Sequence, residues 1–317
     1  MSSMDFLAQA KVHEIVAPKE KLHDVAASTP ISEVLILLEK RQILSVPIFD
    51  APGRWVDAGG NEVIVGNKQY IGIVSVLDII TYAFRECTTA LNEANSVLSR
   101  PVSSAIGSTD ESLSIWMETI NVHDAMEQFA KGVHRALVLP VLENSADEVK
   151  LLTQTDVVTF LSGNQAKSAL LDRVFNSKLK DLNRPDQTKD IVNVSMSDNL
   201  IDALNVLLES KVHGVAVVGD GGKLQSVLSV SDLRGMVASR LPSLRFLTVS
   251  DFLRQRELRT YDEPLSAPFT CTPEDRLKDV AETMLQFRFH MVWIIDYKDQ
   301  PTDVLTLTDI INIIRAS

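Results

Sequence analysis

The sequence predicts an α/β fold, more narrowly a chain of α+β repeats: four tandem modules, each ordered helix, strand, strand, helix. Two observations carry this. An apolar run followed by Ser or Thr, two residues and Asp occurs four times, as Ser75 to Asp78, Thr153 to Asp156, Ser229 to Asp232 and Thr306 to Asp309, with successive aspartates 78, 76 and 77 residues apart. That period is domain-sized, longer than the roughly 20 to 50 residues of a solenoid repeat. Ahead of each Asp, the same succession of helix-periodic and short β-branched segments can be traced.

In the first module Thr29 and Pro30 open a helical pattern over 31–38, Thr placed to cap it and Pro suited to its first position. Strands follow over 45–50 and 70–75, then a helix over 78–84. The second module repeats this with a helix over 122–129, strands over 136–141 and 149–152, and a helix over 156–161. The third uses 200–208, 215–218, 224–228 and 232–236. In the fourth, Thr272 and Pro273 precede a helix over 277–285, strands over 291–296 and 304–305, and a helix over 309–314. From the start of the first strand to the Asp is 33 residues in the first module but 22, 19 and 19 in the others, an excess that an insertion over 51–60 explains. Gly219 to Lys223 has the composition of a tight hairpin turn. The polar stretch 162–190, with Pro185 and an apolar island over 170–175, is the expected boundary between two halves. Module limits are expected at 11–86, 98–165, 182–242 and 247–317.

With 45% apolar residues the 317-residue chain can bury a sizeable core, and its net charge of -11 offers no basic footprint for nucleic acid or an anionic membrane. Only Cys87 and Cys271 are present, outside any C-x-x-C spacing, which suits a reducing compartment. No apolar run reaches the roughly 18 residues of a membrane span, and the first residues lack signal-peptide character. A soluble cytoplasmic or nuclear protein is expected.

Ser or Thr ending a strand with an acid three residues later is first of all a helix capping box and needs no ligand. It has a second use, because a carboxylate at a helix N-terminus can accept the vicinal hydroxyls of a ribose. Just before the first strand of three modules stand His134 with Arg135, His213 with Gly214, and His290 with Met291. Cations there would gather where strand ends of neighbouring units converge, and phosphate is the anion such a cluster suits. A zinc site is a weak rival, the histidines being far apart in sequence and without short-spaced companions. His13, His23 and His123 fall outside this register, and Trp55, Trp116 and Trp293 read as packing residues. No G-x-S-x-G, H-E-x-x-H or paired catalytic constellation occurs, so no enzyme is expected.

The pattern resembles the cystathionine-beta-synthase (CBS) domain, on Val46 to Asp50 before the loop and Gly72 to Asp78 after it. Four copies, with His134 and Arg135 in the second and a closing Thr306 to Ile311, resemble the gamma regulatory subunit of AMP-activated protein kinase, and the insertion over 52–60 resembles its plant gamma-like branch. The resemblance implies four CBS domains paired through their sheets into two Bateman modules that form a disk around a central channel, with AMP, ADP or ATP in the clefts. It implies ribose contacts for Asp78, Asp156, Asp232 and Asp309, ribose or phosphate support from Ser75, Thr153, Ser229 and Thr306, and phosphate contacts for His134, Arg135 and His290, with His213 counted among the nucleotide-binding residues. Thr29, Ser197 and Thr272 are candidates for adenine or backbone contacts. Partners implied are a kinase catalytic alpha-type subunit and a beta-type scaffold subunit, with no catalytic cofactor. Leu44 and Ser45 stand where the family's first repeat often has Arg, and Met291 where the fourth has it, so phosphate binding is expected to be weaker and ATP to suffer more than AMP. Asp is kept in all four repeats, whereas animal gamma subunits lack it in the second. The alternative is a CBS scaffold with vestigial clefts that assembles kinase or phosphatase partners.

Overall fold

A computed structural model of the chain describes residues 3–54, 63–86, 96–109, 111–141, 148–184, 191–257 and 268–317. Trp55 and the insertion as far as Gly60, Cys87 and Pro185 lie outside the described residues.

Each repeat holds one element more than its sequence pattern announces. A short strand precedes the first helix, as Val25–Ala26, Ser114–Met117, Asn193–Ser195 and Thr270–Cys271. It pairs parallel with the strand after the helix, which is Ser45–Asp50, Arg135–Leu139, Gly214–Val218 or Met291–Ile295. That central strand then pairs antiparallel with Lys68–Ser75, Lys150–Thr153, Leu224–Ser229 or Pro301–Thr306. Parallel strands need a crossover, here the first helix, while antiparallel ones need only a loop. In the first repeat the long loop adds an edge strand, Val63–Val65, turned back through Gly66 at φ +60°. Gly221 and Gly222, at φ +70° and +76°, make the third loop the tight turn its composition announces.

The first helices span Ile31–Arg41, Val122–Ala130, Leu200–Glu209 and Leu277–Gln286. Thr29 does not cap its helix: Pro30 holds the cap position, and the Thr29 carbonyl accepts instead from Val102 N at 2.8 Å. The second helices span Val76–Glu86, Gln154–Gly163 and Leu307–Ala316. The helix expected over 232–236 is absent. It stops as a single 3-10 turn, Val230–Leu233, because Arg234 is extended and Gly235 sits at φ +74°, and the following 3-10 stretch Ala238–Phe246 contains Pro242.

The cores cut across the expected boundary between halves. One joins the helices of repeats 2 and 4, with Val122, Met126, Phe129, Val158, Ile310 and Ile314 all at or below 1% exposure. It also takes in the linker helix Ala169–Asn176 and the N-terminal Val12 and Val16. The other joins repeats 1 and 3 through Ile31, Leu35, Ile79, Leu200 and Leu207. A smaller cluster, Val65, Tyr70, Leu137 and Val149, packs the sheets of repeats 1 and 2 together. The sheets of repeats 3 and 4 meet through the Met291 side chain against Gly214 and through polar contacts: Leu224 N donates to Asp299 O at 3.0 Å, and the Gln300 amide donates to Gly221 O. The four repeats thus close a ring in the order 1, 2, 4, 3. Both sheet-to-sheet contacts follow the sequence halves and both helical cores cross them.

Burying a Val, Leu, Ile or Phe side chain is worth about 1.5–3 kcal/mol, so covering its helical face contributes much of the stability of each repeat. Phe129 is fully buried and meets Trp116 edge to face at 5.0 Å. Phe129→Ala is expected to cost about 3–5 kcal/mol, read as a lower urea midpoint with unchanged slope.

Candidate functional site

The antiparallel register of each repeat builds one corner of the site. It sets Ser45 opposite Ser75, Arg135 opposite Thr153, Gly214 opposite Ser229, and Met291 opposite Thr306. One residue further on, the backbone N–H groups of Val76, Gln154, Val230 and Leu307 donate to the carbonyls of Leu44, His134, His213 and His290, at 2.9, 3.3, 2.9 and 3.2 Å. The first turn after each Ser or Thr is therefore fastened to the residue that opens the central strand. Three positions before that strand the backbone turns left-handed in every repeat, at Gln42, Gly132, Lys211 and Arg288, with φ +53°, +96°, +54° and +57°. Three of these four are not glycine, so the turn is held by its surroundings.

The four strand starts converge on one hub. The Arg135 guanidinium donates to Ser45 Oγ and pairs through Nε with Glu111 at 3.1 Å, linking repeats 2 and 1. The rings of His134 and His213 meet edge to face with centroids 4.2 Å apart, linking repeats 2 and 3. Ser231 Oγ and His290 Nδ1 are hydrogen-bonded at 3.1 Å, linking repeats 3 and 4. Gln154 Nε2 donates to Thr308 Oγ1 at 2.9 Å, linking 2 and 4, while its Oε1 lies 3.4 Å from His134 Nδ1.

The convergence of the histidines matches the sequence reading; their charge does not. Burial among each other and beside Arg135 drives the imidazole of His213 down to about 3 and that of His290 to about 4, and burial lowers His134 as well. At neutral pH all three are uncharged, and the fixed cations near them include Arg135 and Arg234, the latter facing His290, Asp232 and a further guanidinium, Arg288. The Arg234 Nε is buried without a hydrogen-bond partner.

The capping bonds are made at all four corners. Asp78, Asp156, Asp232 and Asp309 each accept, on Oδ2, the backbone N–H and hydroxyl of Ser75, Thr153, Ser229 and Thr306, at 2.6–3.0 Å. Beyond the cap the acids differ. Asp78 is 1% exposed, and its Oδ1 takes Thr109 N at 2.9 Å and Thr109 Oγ1 at 2.7 Å. Asp156 Oδ2 also takes Lys19 Nζ at 2.5 Å. Asp309 faces Arg184, whose guanidinium pairs with Asp303. In each of these three, the group comes from the segment that enters the sheet-paired repeat.

Thr29, Ser197 and Thr272 are not brought to the hub. Each follows the short first strand, which runs parallel to the central one, so it lies beyond the opposite end of its sheet from Ser45, Gly214 or Met291. Ser197 and Thr272 are exposed there, hydrogen-bonded to Ser195 and Asp275. Sequence reasoning missed Lys19, Thr109, Glu111, Gln154, Arg234 and Arg288. Only Gln154, between a Thr and an Asp of the repeated pattern, carried a signal of its own. Among the described residues no group of three or more His, Cys, Asp or Glu is placed to hold a metal.

Residues 179–239 and 261–316 match the CBS domain family model. The chain is 28% identical to the SNF1-related protein kinase regulatory subunit gamma-like PV42b of Arabidopsis thaliana, over all of this chain and 98% of that one. To the 5'-AMP-activated protein kinase subunit gamma of Saccharomyces cerevisiae it is 19% identical, over 98% of this chain and 91% of that one. Its fold matches a Methanocaldococcus jannaschii protein described as a proposed archaeal homologue of g-AMPK, with TM-score 0.67, 18% identity, and coverage of 96% and 99% of the two chains.

The depressed histidines fix a direction for acid stability. An unfolded histidine titrates near 6.5, so below that pH the unfolded chain takes up protons that His213 and His290 refuse until about 3 and about 4. Their contribution is complete above 6.5 and is lost as pH falls toward those folded values. The urea midpoint is expected to decline from pH 6.5 to 4, and His213→Gln to flatten that decline.

Proposed function

We propose, on the premise that this chain is a four-repeat CBS protein resembling the gamma regulatory subunit of AMP-activated protein kinase in its plant gamma-like branch, that it binds adenine nucleotide and reports occupancy to a protein kinase complex. The single observation that supports this most is the hub. Four strand starts bring Arg135, His134, His213 and His290 to one point, and the register stands a Ser/Thr-x-x-Asp corner beside each. A carboxylate that can take ribose hydroxyls, next to a cluster that can take phosphate, is a nucleotide-shaped pair of functions.

The histidines add a condition to phosphate binding. A phosphate set against neutral, buried imidazoles favours their protonated form, so its binding takes up protons and strengthens as pH falls. Fixed charge at the hub is modest, which favours AMP over the more highly charged ATP. The role is non-catalytic, in line with the two Arabidopsis thaliana relatives named as regulatory subunits gamma-like. A kinase catalytic subunit of alpha type and a scaffold of beta type are the proposed partners, met in the cytoplasm or nucleus. A rival reading, a scaffold with vestigial clefts, draws support from Asp78, whose carboxylate is sealed inside the chain.

Melting of the purified chain with AMP, ADP and ATP separates the two. Stabilisation is expected, greatest for AMP and greater at pH 6 than at pH 8; unchanged melting at millimolar nucleotide at both pH values leaves the scaffold.

A further inference from the structure

The two sheet pairs bring different residues to their inner ends. Between repeats 1 and 2 the register places Ser45 and Arg135 there, and the guanidinium donates to the hydroxyl. Between repeats 3 and 4 the same positions hold Gly214 and Met291, and the methionine lies so close that a Cβ at Gly214 would stand 2.5 Å from its sulfur. An apolar contact thus takes the place of the arginine, and a cation on this side has to arrive from another part of the fold.

Arg234 and Arg288 do so. Arg234 is the second residue after Asp232, and its counterparts after Asp78, Asp156 and Asp309 are Ile80, Val158 and Ile311, each at most 2% exposed inside a helical core. A helix continued past Asp232 would drive a guanidinium into that interior, at a desolvation cost that apolar neighbours cannot offset. The chain leaves the helix instead. Val230–Leu233 is one 3-10 turn, Arg234 is extended, and Gly235 follows at φ +74° beside the Gln42 amide of repeat 1. Arg234 is thereby turned from the core toward His290, Asp232 and Arg288.

Arg288 comes from the other repeat. It holds the left-handed position ahead of the central strand, at φ +57°, two residues before His290. The hydrogen bond of 3.1 Å between His290 Nδ1 and Ser231 Oγ fastens the loop carrying Arg288 to the turn carrying Arg234.

The chain does not balance this cluster by itself. Among the described residues Arg234 faces one carboxylate, Asp232, which already accepts Ser229 N and Oγ on Oδ2, and one further guanidinium, Arg288. Burial and the neighbouring Arg288 hold Arg234 below the usual guanidinium range. Its Nε is buried with no hydrogen-bond partner, a rare condition in a folded chain that a bound acceptor would relieve.

An anion with several acceptor oxygens meets both needs. Phosphate fits, because one guanidinium fork pairs with two of its oxygens and leaves a third for the other. We propose that Arg234 and Arg288 form a phosphate-binding site between repeats 3 and 4, supplying the cations that Met291 does not. This rests on the nucleotide reading above for the source of the phosphate and adds the residues that hold it, free phosphate being the other source of the same chemistry.

Calorimetric titration of the full-length chain with AMP and with inorganic phosphate, alongside melting of the ligand-free chain, tests the site. Arg234→Gln and Arg288→Gln are each expected to weaken AMP at least tenfold. Ligand-free melting is expected to stay level or rise, since either change relieves a like-charge contact, whereas loss of a merely structural arginine lowers it. Gln already holds the left-handed position in repeat 1, as Gln42 at φ +53°, so Arg288→Gln decides alone should Arg234→Gln not fold. AMP affinity unchanged in the folded variants overturns the site and leaves the nucleotide reading standing. If AMP fails to bind the wild-type chain while inorganic phosphate binds it and not the variants, the site stands with free phosphate as its ligand and the nucleotide reading falls. Binding of neither AMP nor phosphate to the wild-type chain overturns both.

Discussion

Everything about the site depends on the antiparallel pairing of two strands in each repeat. Because side chains alternate across a strand, a slip of one residue would reverse every face and carry the Ser/Thr-x-x-Asp corner away from the strand start. The register is held at the inner end of the pairing and relaxed at the outer end. At the inner end, the bond from the residue after Ser or Thr to the carbonyl before the central strand recurs in all four repeats at 2.9–3.3 Å. At the outer end, loops of very different length are accommodated by register shifts, at Ile48/Phe49, Leu224/Ser226 and Ile294/Ile295, without disturbing the inner end. Variation is thus confined to the rim and constancy to the hub.

Much of this was legible in the sequence. The four aspartates, their Ser or Thr partners and the three histidines stand at fixed offsets because the fold repeats, and the repeat spacing is visible without coordinates. The elements that escaped notice have physical reasons for doing so. Val25–Ala26 and Thr270–Cys271 are two-residue strands, too short to show alternation. The helix expected after Ser229 matched its counterparts through Asp232 and Leu233; Gly235 and Pro242 were the warning, and they act through backbone conformation rather than hydrophobic pattern.

The site's chemistry was less legible than its location. Histidines beside an arginine read as a cationic cluster, yet clustering is what removes their charge: each imidazole is buried against the others and against Arg135. Likewise, the contacts that distinguish one corner from another join residues 31 and 137 positions apart, Thr109 to Asp78 and Lys19 to Asp156. Local spacing can locate an acid, but only the packing of one repeat's entry segment on its neighbour decides what that acid holds.

The crossing of the two helical cores over the two sheet contacts has a mechanical meaning. Four rigid bodies joined end to end could each rotate independently; joined in a closed loop they form a linkage, in which turning one requires matched turns in the others. Repeat 3 touches repeat 1 through a buried apolar core, and repeat 4 through Met291 packed on Gly214 together with backbone and amide hydrogen bonds. A displacement at any one joint of such a loop is therefore shared among all four.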